Sequence, residues 1–231
     1  MHKFAKIAAV VLILVAVGFF LRDKIFPGKN TDQDLEAMKT SITTDPKVNN
    51  PNLTPDQIES FMKRFRTARE QVISLNFDIL QGINEVAIIK QSLGDFEGAK
   101  TAWEYANIIR PKNSLSFSNL AALYHFDLKE YDKAEQNYLI SIANQPNDIP
   151  TIRNFYELYF YALKDNAKAE ALLLESIKAN PGVADLYSLA GSFYASIGRK
   201  DEAIKNYEKH LELNPGNEAV KRELEKLKSA S

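Results

Sequence analysis

Three histidines are the side chains in this sequence best suited to metal binding or proton transfer. They are His2, His125 and His210, and none has a second ligand at a spacing that would place both on one helix face. The chain has no cysteine, which excludes thiol nucleophiles, disulfides and cysteine zinc sites. We therefore expect neither a metal site nor a bound cofactor.

Two other stretches carry residue types that are common in catalytic sites. The segment GDFEGAK, residues 94–100, has two glycines, but it lacks the spacing of a phosphate-binding loop and is predicted to lie between two helices. Asp127 and Glu130 fall in a predicted turn, where solvated carboxylates are the simpler interpretation. The sequence thus predicts that the protein is not an enzyme and has no small-molecule substrate.

The net charge of −1 is unevenly distributed along the chain. Residues 1–30 carry a net charge of +4, so the remaining residues carry −5. Because nucleic-acid binding needs clustered Lys and Arg, an acidic body of this kind is not expected to bind nucleic acid.

The N-terminus contains an apolar run long enough to interact with a membrane. Ile7–Leu21 is an unbroken run of fifteen apolar residues, which spans about 22 Å as a helix against a hydrocarbon core of about 30 Å. If Lys6 snorkels to the surface, the span extends over residues 4–26. We predict an N-terminal transmembrane signal anchor in residues 1–26, with cleavage of a signal peptide near Ala16-Val17-Gly18 as the alternative.

The sidedness of this anchor is only weakly specified by charge. Lys3 and Lys6 precede the apolar run, whereas Arg22, Lys24 and Lys29 follow it. A short basic tail before the first apolar segment is typical of bacterial signal anchors. We therefore expect a single-pass protein of the bacterial cytoplasmic membrane, with its body on the extracytoplasmic side.

Residues 27–53 have the composition of a flexible tether. They contain three prolines, many Asn, Asp and Thr residues, and few large apolar residues, and a short helix could form in their middle.

A leading amphipathic helix is predicted within residues 54–79. Thr54 is placed as an N-cap, Pro55 at the first helical position and Gln57 as the partner of a capping box. Its apolar face comprises Ile58, Phe61, Met62, Phe65 and Val72. Its basic face comprises Lys63, Arg64, Arg66 and Arg69. This basic face could meet anionic headgroups or could be an ordinary solvated surface.

From residue 80 the sequence repeats itself with a period of 34 or 35 residues. The alanines at spacings of 35, 35 and 34 are Ala99, Ala134, Ala169 and Ala203. The prolines at the same spacings are Pro111, Pro146, Pro181 and Pro215. A bulky residue follows each alanine by four positions, namely Trp103, Tyr138, Leu173 and Tyr207.

This pattern resembles the tetratricopeptide repeat (TPR) family, whose repeats carry a small residue, an aromatic four positions later and a closing proline. The resemblance covers residues 80–217 as four repeats, 80–113, 114–148, 149–182 and 183–217, followed by a C-terminal capping helix in residues 218–231. It implies an all-α fold, a right-handed superhelical solenoid of helix-turn-helix repeats. With the anchor, a transmembrane helix would precede this solenoid.

The repeats depart from the family pattern in four places. Repeats two and three carry one extra residue, which we place between their helices near Asp127 and Leu163. Tyr156 stands in repeat three where the other repeats have a small residue. His210 also replaces a small residue, and a packed, hydrogen-bonded histidine is expected there.

In this family the first helix of each repeat lines a concave groove, and the resemblance therefore implies a set of partner-binding residues. These are Asn84, Ile88, Asn119, His125, Arg153, Glu157, Phe160, Tyr161, Asp185 and Ser188. In the aromatic stretch NFYELYFYAL, residues 154–163, Phe155 and Tyr159 share the core stripe. Phe160, with Tyr161 and Phe126, is expected to face the groove, and the alternative is that these aromatic residues pack against the neighbouring repeat.

One ligand class of the family is not expected here. Chaperone-binding members clamp a C-terminal carboxylate with Lys, Asn and Arg, but the equivalent positions hold Asn84, Ile88, Asn119 and Pro150, of which only Asn119 matches.

The resemblance implies a membrane-tethered scaffold that binds a peptide or helix of another protein, for example in the assembly of an envelope, secretion or pilus complex. Two alternatives remain open from the sequence. One is a structural protein that associates with itself as a homo-oligomer, and the other is a secreted repeat protein released by signal-peptide cleavage.

Overall fold

The computed structural model describes residues 31–229 of the chain, and its regular secondary structure is helical throughout that range. The helices are α1 (Asp32–Thr43), α2 (Pro55–Ser74), α3 (Leu80–Ser92), α4 (Phe96–Ile109), α5 (Leu115–Ala122), α6 (Tyr131–Asn144), α7 (Ile149–Glu157), α8 (Asn166–Ala179), α9 (Ala184–Ser196), α10 (Lys200–Leu213) and α11 (Glu218–Ser229). Two π-helical segments, π1 (Leu123–Leu128) and π2 (Leu158–Ala162), continue α5 and α7. The described residues form two compact units, the N-terminal unit (residues 31–144) and the C-terminal unit (residues 145–229).

The segment predicted to be a flexible tether is ordered from residue 31 onward. Helix α1 begins with a capping box, in which Thr31 and Asp34 satisfy each other's backbone N–H groups. Ile42 is fully buried, and α1 packs mainly against α4. The physical reason is an apolar stripe at helical spacing, formed by Leu35, Met38 and Ile42. The overall composition of the segment is polar and does not reveal this stripe.

The chain after α1 is also fixed to the first repeat. The backbone N–H groups of Asn49 and Asn50 both donate to the carbonyl oxygen of Leu93, at 2.8 and 3.0 Å. Lys90, which is buried, donates from Nζ to the carbonyl oxygen of Thr44 at 2.8 Å and lies 3.3 Å from the Asp95 carboxylate. Burial lowers the pKa of Lys90, and the neighbouring Asp95 carboxylate opposes that shift.

Helix α2 follows the predicted leading helix closely. Its capping box at Thr54 and Gln57 is present, and Phe65 and Val72 are fully buried. On its basic face Arg64 pairs with Glu85 at 2.7 Å, Arg66 with Glu59 at 3.0 Å and Arg69 with Asp45 at 2.7 Å. Since these acids neutralise the three arginines, the arrangement favours a solvated face over a lipid-binding one.

The helix pairs match the repeats predicted from the sequence. In the N-terminal unit α3 packs on α4 and α5 on α6, and in the C-terminal unit α7 packs on α8 and α9 on α10. The recurring alanines and the bulky residues four positions later are all buried. The small alanines allow close helix approach, and the bulky residues fill the space beside them. The all-α repeat fold is therefore confirmed.

The extra residue of repeats two and three lies inside a helix, and not in the turn where we predicted it. At the end of π1 the N–H of Glu130 donates to the carbonyl oxygen of Tyr124, six residues earlier. In the first repeat the corresponding bond, from Asp95 to Lys90, spans only five residues. The wider π turn thus absorbs the insertion and preserves the packing on either side.

Helix α11 closes the C-terminal unit as the predicted capping helix. Val220 and Leu224 are buried beside Tyr207 of α10. Its outer face carries the ion pairs Lys221–Glu218 and Lys226–Glu223, and Lys228 pairs with Glu208 of α10. A terminal helix that is apolar inside and charged outside is what a repeat array needs to remain soluble.

Among residues 31–229 no helix has the length and apolar character required to cross a membrane. The anchor predicted for residues 1–26 lies outside the described residues.

Candidate partner-binding site

A connected set of aromatic rings runs from the core of the C-terminal unit to its surface. Phe193 of α9 is fully buried, and its ring centroid lies 5.7 Å from that of Phe160, in an edge-to-face contact. Phe160 is half-buried and contacts Tyr161 edge-to-face at 4.8 Å. Tyr156 stacks on Phe160 at 5.4 Å. Tyr161 ends the set with 65% of its surface exposed. We call these four residues the aromatic ladder.

The other two aromatic residues of the same stretch belong to the core, as predicted. Phe155 and Tyr159 are each 1% exposed, and their ring centroids lie 4.4 Å apart. The ammonium group of Lys168 lies over the Tyr159 ring at 5.2 Å from its centroid. Within this stretch Phe155, Tyr156 and Tyr159 are therefore buried, whereas Phe160 and Tyr161 extend the ladder to the surface.

Segment π2 is what presents the outer half of the ladder. The N–H of Asp165 donates to the carbonyl oxygen of Tyr159, six residues earlier, at 2.8 Å. The residue before Asp165, Lys164, takes a left-handed conformation with φ of 54°. The π turn therefore carries Phe160 and Tyr161, and such turns are frequent at functional sites in other proteins.

Four predicted polar residues of the C-terminal unit lie on the first helices of the two repeats. Arg153 and Asp185 are exposed, and Glu157 and Ser188 are half-buried. Ser188 donates from Oγ to the carbonyl oxygen of Asp185 at 3.0 Å. All four can reach a partner, so this face combines aromatic area with charges of both signs.

Helix α9 approaches α10 closely because of one glycine. A Cβ on Gly191 would lie 2.5 Å from Cδ1 of Tyr207, which is closer than real contacts allow. The Tyr207 hydroxyl lies 3.0 Å from Oγ of Ser192. Gly191 thus admits a large ring from the second helix. In repeat three the sizes are reversed, with Tyr156 on the first helix and Leu173 on the second.

The first helices of the N-terminal unit also carry exposed apolar side chains. Ile88 is 38% exposed and Phe126 is 43% exposed. Asn119 is half-buried. Gln91 of α3 donates from Nε2 to the Asp127 carboxylate at 2.7 Å and links the first helices of the two repeats.

Asn84 does not reach solvent, contrary to the sequence-based prediction. It is 4% exposed, donates from Nδ2 to the carbonyl oxygen of Leu80 at 3.0 Å and accepts from the Ser116 hydroxyl at 3.1 Å. Because Ser116 belongs to the next repeat, the role of Asn84 is to join repeats.

His125 is likewise buried, at 5% exposure. Its ring stacks on Phe126 at 3.9 Å, and its Nδ1 lies 3.5 Å from the Tyr138 hydroxyl. Burial lowers the pKa of His125 to about 4, with the nearby positive charge of Lys129 contributing. The imidazole is therefore neutral at pH 7, and its buried ring packs against the exposed ring of Phe126.

His210 is packed and hydrogen-bonded, as predicted. It is fully buried, with Nδ1 at 2.9 Å from the carbonyl oxygen of Ala184 and Nε2 at 2.9 Å from Nδ2 of Asn217. These partners assign the proton to Nδ1, because the carbonyl can only accept and the amide nitrogen can only donate. Among residues 31–229 no group of three or more acidic or histidine side chains could hold a metal ion.

Sequence reasoning did not single out Phe193. The sequence places Phe193 in the first helix of repeat four, next to the repeat that contains Phe160. This position predicts a core residue, and it gives no indication that the rings of Phe193 and Phe160 are in contact.

The comparisons with known proteins agree with this fold. Residues 158–218 match a family model described as a tetratricopeptide repeat. No curated protein is similar enough to count as a match. The family model therefore matches the tetratricopeptide repeat over residues 158–218, and solved structures show the same fold over more of the chain.

Three of these solved structures are each less than 25% identical to the chain and show the fold alone. A thermophilic TPR protein of Thermus thermophilus is 18% identical, with a TM-score of 0.51, and the match covers 74% of this chain and 96% of that one. YrrB, described as a TPR protein with an unusual peptide-binding site, is 17% identical, with a TM-score of 0.51 and coverage of 74% and 88%. The MamA protein is 22% identical, with a TM-score of 0.51 and coverage of 64% and 80%.

Proposed function

We propose that this protein is a membrane-tethered scaffold that binds a peptide or helix of a partner protein on the first helices of its repeats. The TPR fold supports the general part of this proposal, because proteins with this fold are commonly non-enzymatic scaffolds. The proposal also includes the membrane tether and a role in assembling an envelope, secretion or pilus complex.

The observation that carries the proposal is the exposed end of the aromatic ladder. Tyr161 is 65% exposed, yet its ring is held at one edge by Phe160. An exposed aromatic side chain that is already ordered loses little conformational freedom when it binds. Tyrosine and arginine are also enriched among residues that dominate binding energy, and Arg153 is exposed on α7 of the same unit.

Site-specific photo-crosslinking in intact cells tests this surface directly. A photoreactive phenylalanine analogue replaces Phe160 in one variant and the buried Tyr159 in the control. A third variant carries the analogue at Lys205, an exposed position on α10. We expect a discrete adduct with another protein from position 160 alone.

The pattern of adducts separates the possible outcomes. Equal labelling from positions 160 and 205 would indicate unspecific surface encounters and would contradict a defined binding face. An adduct with a second copy of this chain would favour the self-associating alternative. The described part of α11 does not favour stacking at that end, because its outer face carries two ion pairs.

The tether rests on the apolar run Ile7–Leu21 and on the basic residues that flank it. To test the tether, cell membranes are extracted with alkaline carbonate, and the fraction that retains the protein is determined. The mass of the mature chain is measured by mass spectrometry. A full-length chain that stays in the membrane fraction supports the anchor. A soluble chain shortened near Ala16-Val17-Gly18 would instead establish the secreted form. Protease added to intact spheroplasts then reports on which side the repeats lie.

A further inference from the structure

One edge of the N-terminal unit carries three large apolar side chains in solvent. Ile73 is 54% exposed, Leu75 is 52% exposed and Leu115 is 52% exposed. They lie at the end of α2, in the turn after it, and at the start of α5. Single exposed apolar residues are ordinary on protein surfaces, whereas a group at one edge indicates a contact.

Two contacts place the turns that carry these residues at one edge of the unit. Asp78, in the turn after α2, forms an ion pair with Arg110, in the turn after α4. Asn84, in the first turns of α3, accepts a hydrogen bond from Ser116, in the first turn of α5. The two turns that carry Leu75 and Leu115 are therefore adjacent. We call them the apolar edge, defined by Ile73, Leu75 and Leu115.

In the turn after α2, the backbone directs one apolar side chain toward solvent and another toward the protein. Asn76 and Phe77 both take left-handed conformations, with φ of 47° and 60°. Phe77 turns inward and contacts Tyr105 edge-to-face at 6.1 Å. Leu75 remains outside, although a leucine and a phenylalanine have similar hydrophobicity. The turn thus leaves the leucine exposed while it packs the half-buried Phe77 ring against the unit.

Helix α1 brings the start of the described chain to this same edge. The carbonyl of Thr44, just after α1, is bound by Lys90 beside Asp95 at the start of α4. Lys39, farther back in α1, lies over the ring of Phe77, which contacts Tyr105 late in α4. Helices α1 and α4 are therefore antiparallel, and Thr31 lies toward the apolar edge.

The sequence places the predicted anchor close to Thr31. Residues 4–26 were assigned to the membrane span, so only five peptide steps separate its end from the N-cap of α1. Even a fully extended connection of that length reaches only about 18 Å. A unit tied so closely cannot move far from the bilayer surface.

We propose that the apolar edge docks onto the bilayer, with Ile73, Leu75 and Leu115 inserted at the boundary between headgroups and acyl chains. This inference rests on the membrane tether proposed above. The contact is apolar in character, because it is formed by Ile73, Leu75 and Leu115. Asp32 and Asp34 at the start of α1 would not attract anionic headgroups. Docking would fix the orientation of the N-terminal unit and present its binding face to partners at the membrane.

The absence of cysteine allows a direct test on the full chain. A polarity-sensitive fluorophore is attached at Leu75→Cys, and in the control at Val48→Cys. Val48 is also apolar, is 45% exposed and lies in the segment whose Asn49 and Asn50 bind Leu93, at the opposite edge of the unit. The proteins are reconstituted into vesicles of phosphatidylethanolamine and phosphatidylglycerol that contain lipids with a shallow quencher. We expect a blue shift and loss of emission at position 75 but not at position 48.

A second pair of substitutions tests whether the apolar edge causes the blue shift and the quenching at position 75. Ile73→Ser with Leu115→Ser, added to the label at position 75, should restore the emission. Since both residues are exposed, these changes should leave the fold intact.

Each other result overturns the proposal in a distinct way. Chains that float with the vesicles but show no quenching at position 75 would retain the anchor and exclude docking. Equal quenching at positions 75 and 48 would exclude an oriented edge. A blue shift without lipid quenching would mean that a protein segment covers the edge. Chains that do not float with the vesicles would remove the tether and the inference together.

Discussion

Individual aromatic residues in the stretch NFYELYFYAL have opposite roles, and this leads to paired substitutions. Tyr159→Ala should destabilise the chain by about 3–5 kcal/mol, because the ring is buried against Phe155. Tyr161→Ala should change stability by less than about 1 kcal/mol and should abolish the crosslink from position 160, because Tyr161 is exposed. Chemical denaturation and the crosslinking yield measure the two effects. A stable Tyr159→Ala chain, or an unchanged crosslink in Tyr161→Ala, would contradict the assignment of faces.

His125 should make the stability depend on pH in mildly acidic solution. Its pKa is about 4 in the folded state, against about 6.5 for an unperturbed histidine. Between these values the unfolded chain binds more protons, so the free energy of unfolding should fall as pH decreases from 6.5 to 4. The difference amounts to at most about 3 kcal/mol and levels off below pH 4.

The matched control for this prediction is His125→Gln, which has no titratable group. Its unfolding free energy, measured by denaturation at several pH values, should lack the part of the slope that His125 contributes. Identical slopes in the two chains would show that the burial of His125 does not hold its pKa down.

At the scale of elements, the π segments end in residues that are poorly suited to their backbone. Lys164 has φ of 54°, whereas the equivalent turn of repeat four has Gly198 with φ of 75°. A left-handed conformation costs a non-glycine residue about 1–2 kcal/mol, and glycine loses about 0.5–1 kcal/mol in chain entropy. Lys164→Gly should therefore stabilise the protein by about 0.5–1 kcal/mol.

Lys205→Gly is the control for this change, because Lys205 is exposed in the middle of α10. There glycine should destabilise the protein by about 1 kcal/mol. Thermal unfolding of both variants gives the comparison, and a loss of stability in Lys164→Gly would mean that the lysine side chain outweighs the backbone cost.

Helix α1 gives the clearest difference between the sequence-based and structural descriptions. If residues 27–53 were a flexible tether, Ile42→Ala would have no effect on stability. Because Ile42 is fully buried where α1 packs on α4, the substitution should cost about 2–4 kcal/mol in denaturation experiments. The nearby exposed Ala37→Ser is a suitable control and should change stability little. Equal stability of the two variants would favour the sequence-based description of residues 27–53 as a flexible segment.

For the molecule as a whole, the sequence predicted repeats better than it predicted surfaces. The spacing of Ala99 and its equivalents reports helix packing, which recurs in every repeat, so the helix pairs were predicted correctly. Asn84 and His125 were misplaced because their burial depends on particular partners, Ser116 for the first and Phe126 for the second. Such contacts leave no periodic signal in the chain. The position of the inserted residue was missed for the same reason, since a π turn and a longer loop add the same one residue.

Closure of the C-terminal end is a property of the whole array that truncation can test. Removing residues 218–231 would uncover Tyr207, together with Ile204 and Leu211, which now pack against Val220 and Leu224. An array that loses its capping helix exposes an apolar repeat face, so the shortened chain should be less stable and should associate with itself as its concentration rises. Sedimentation velocity over a range of concentrations, on a form without residues 1–30, measures this.

The control for the truncation is Lys221→Ala with Lys226→Ala, which removes two cations of the outer face and keeps the apolar contact. This variant should remain in the association state of the parent chain, because surface ion pairs of this kind contribute less than about 1 kcal/mol each. If the truncated chain also keeps that state and its stability, α11 is dispensable. Any self-association through the C-terminal end would then not be caused by an uncovered apolar face. If only the truncated chain associates, the capping helix is what keeps the repeat face free of a second copy, and partner binding is left to the exposed first helices.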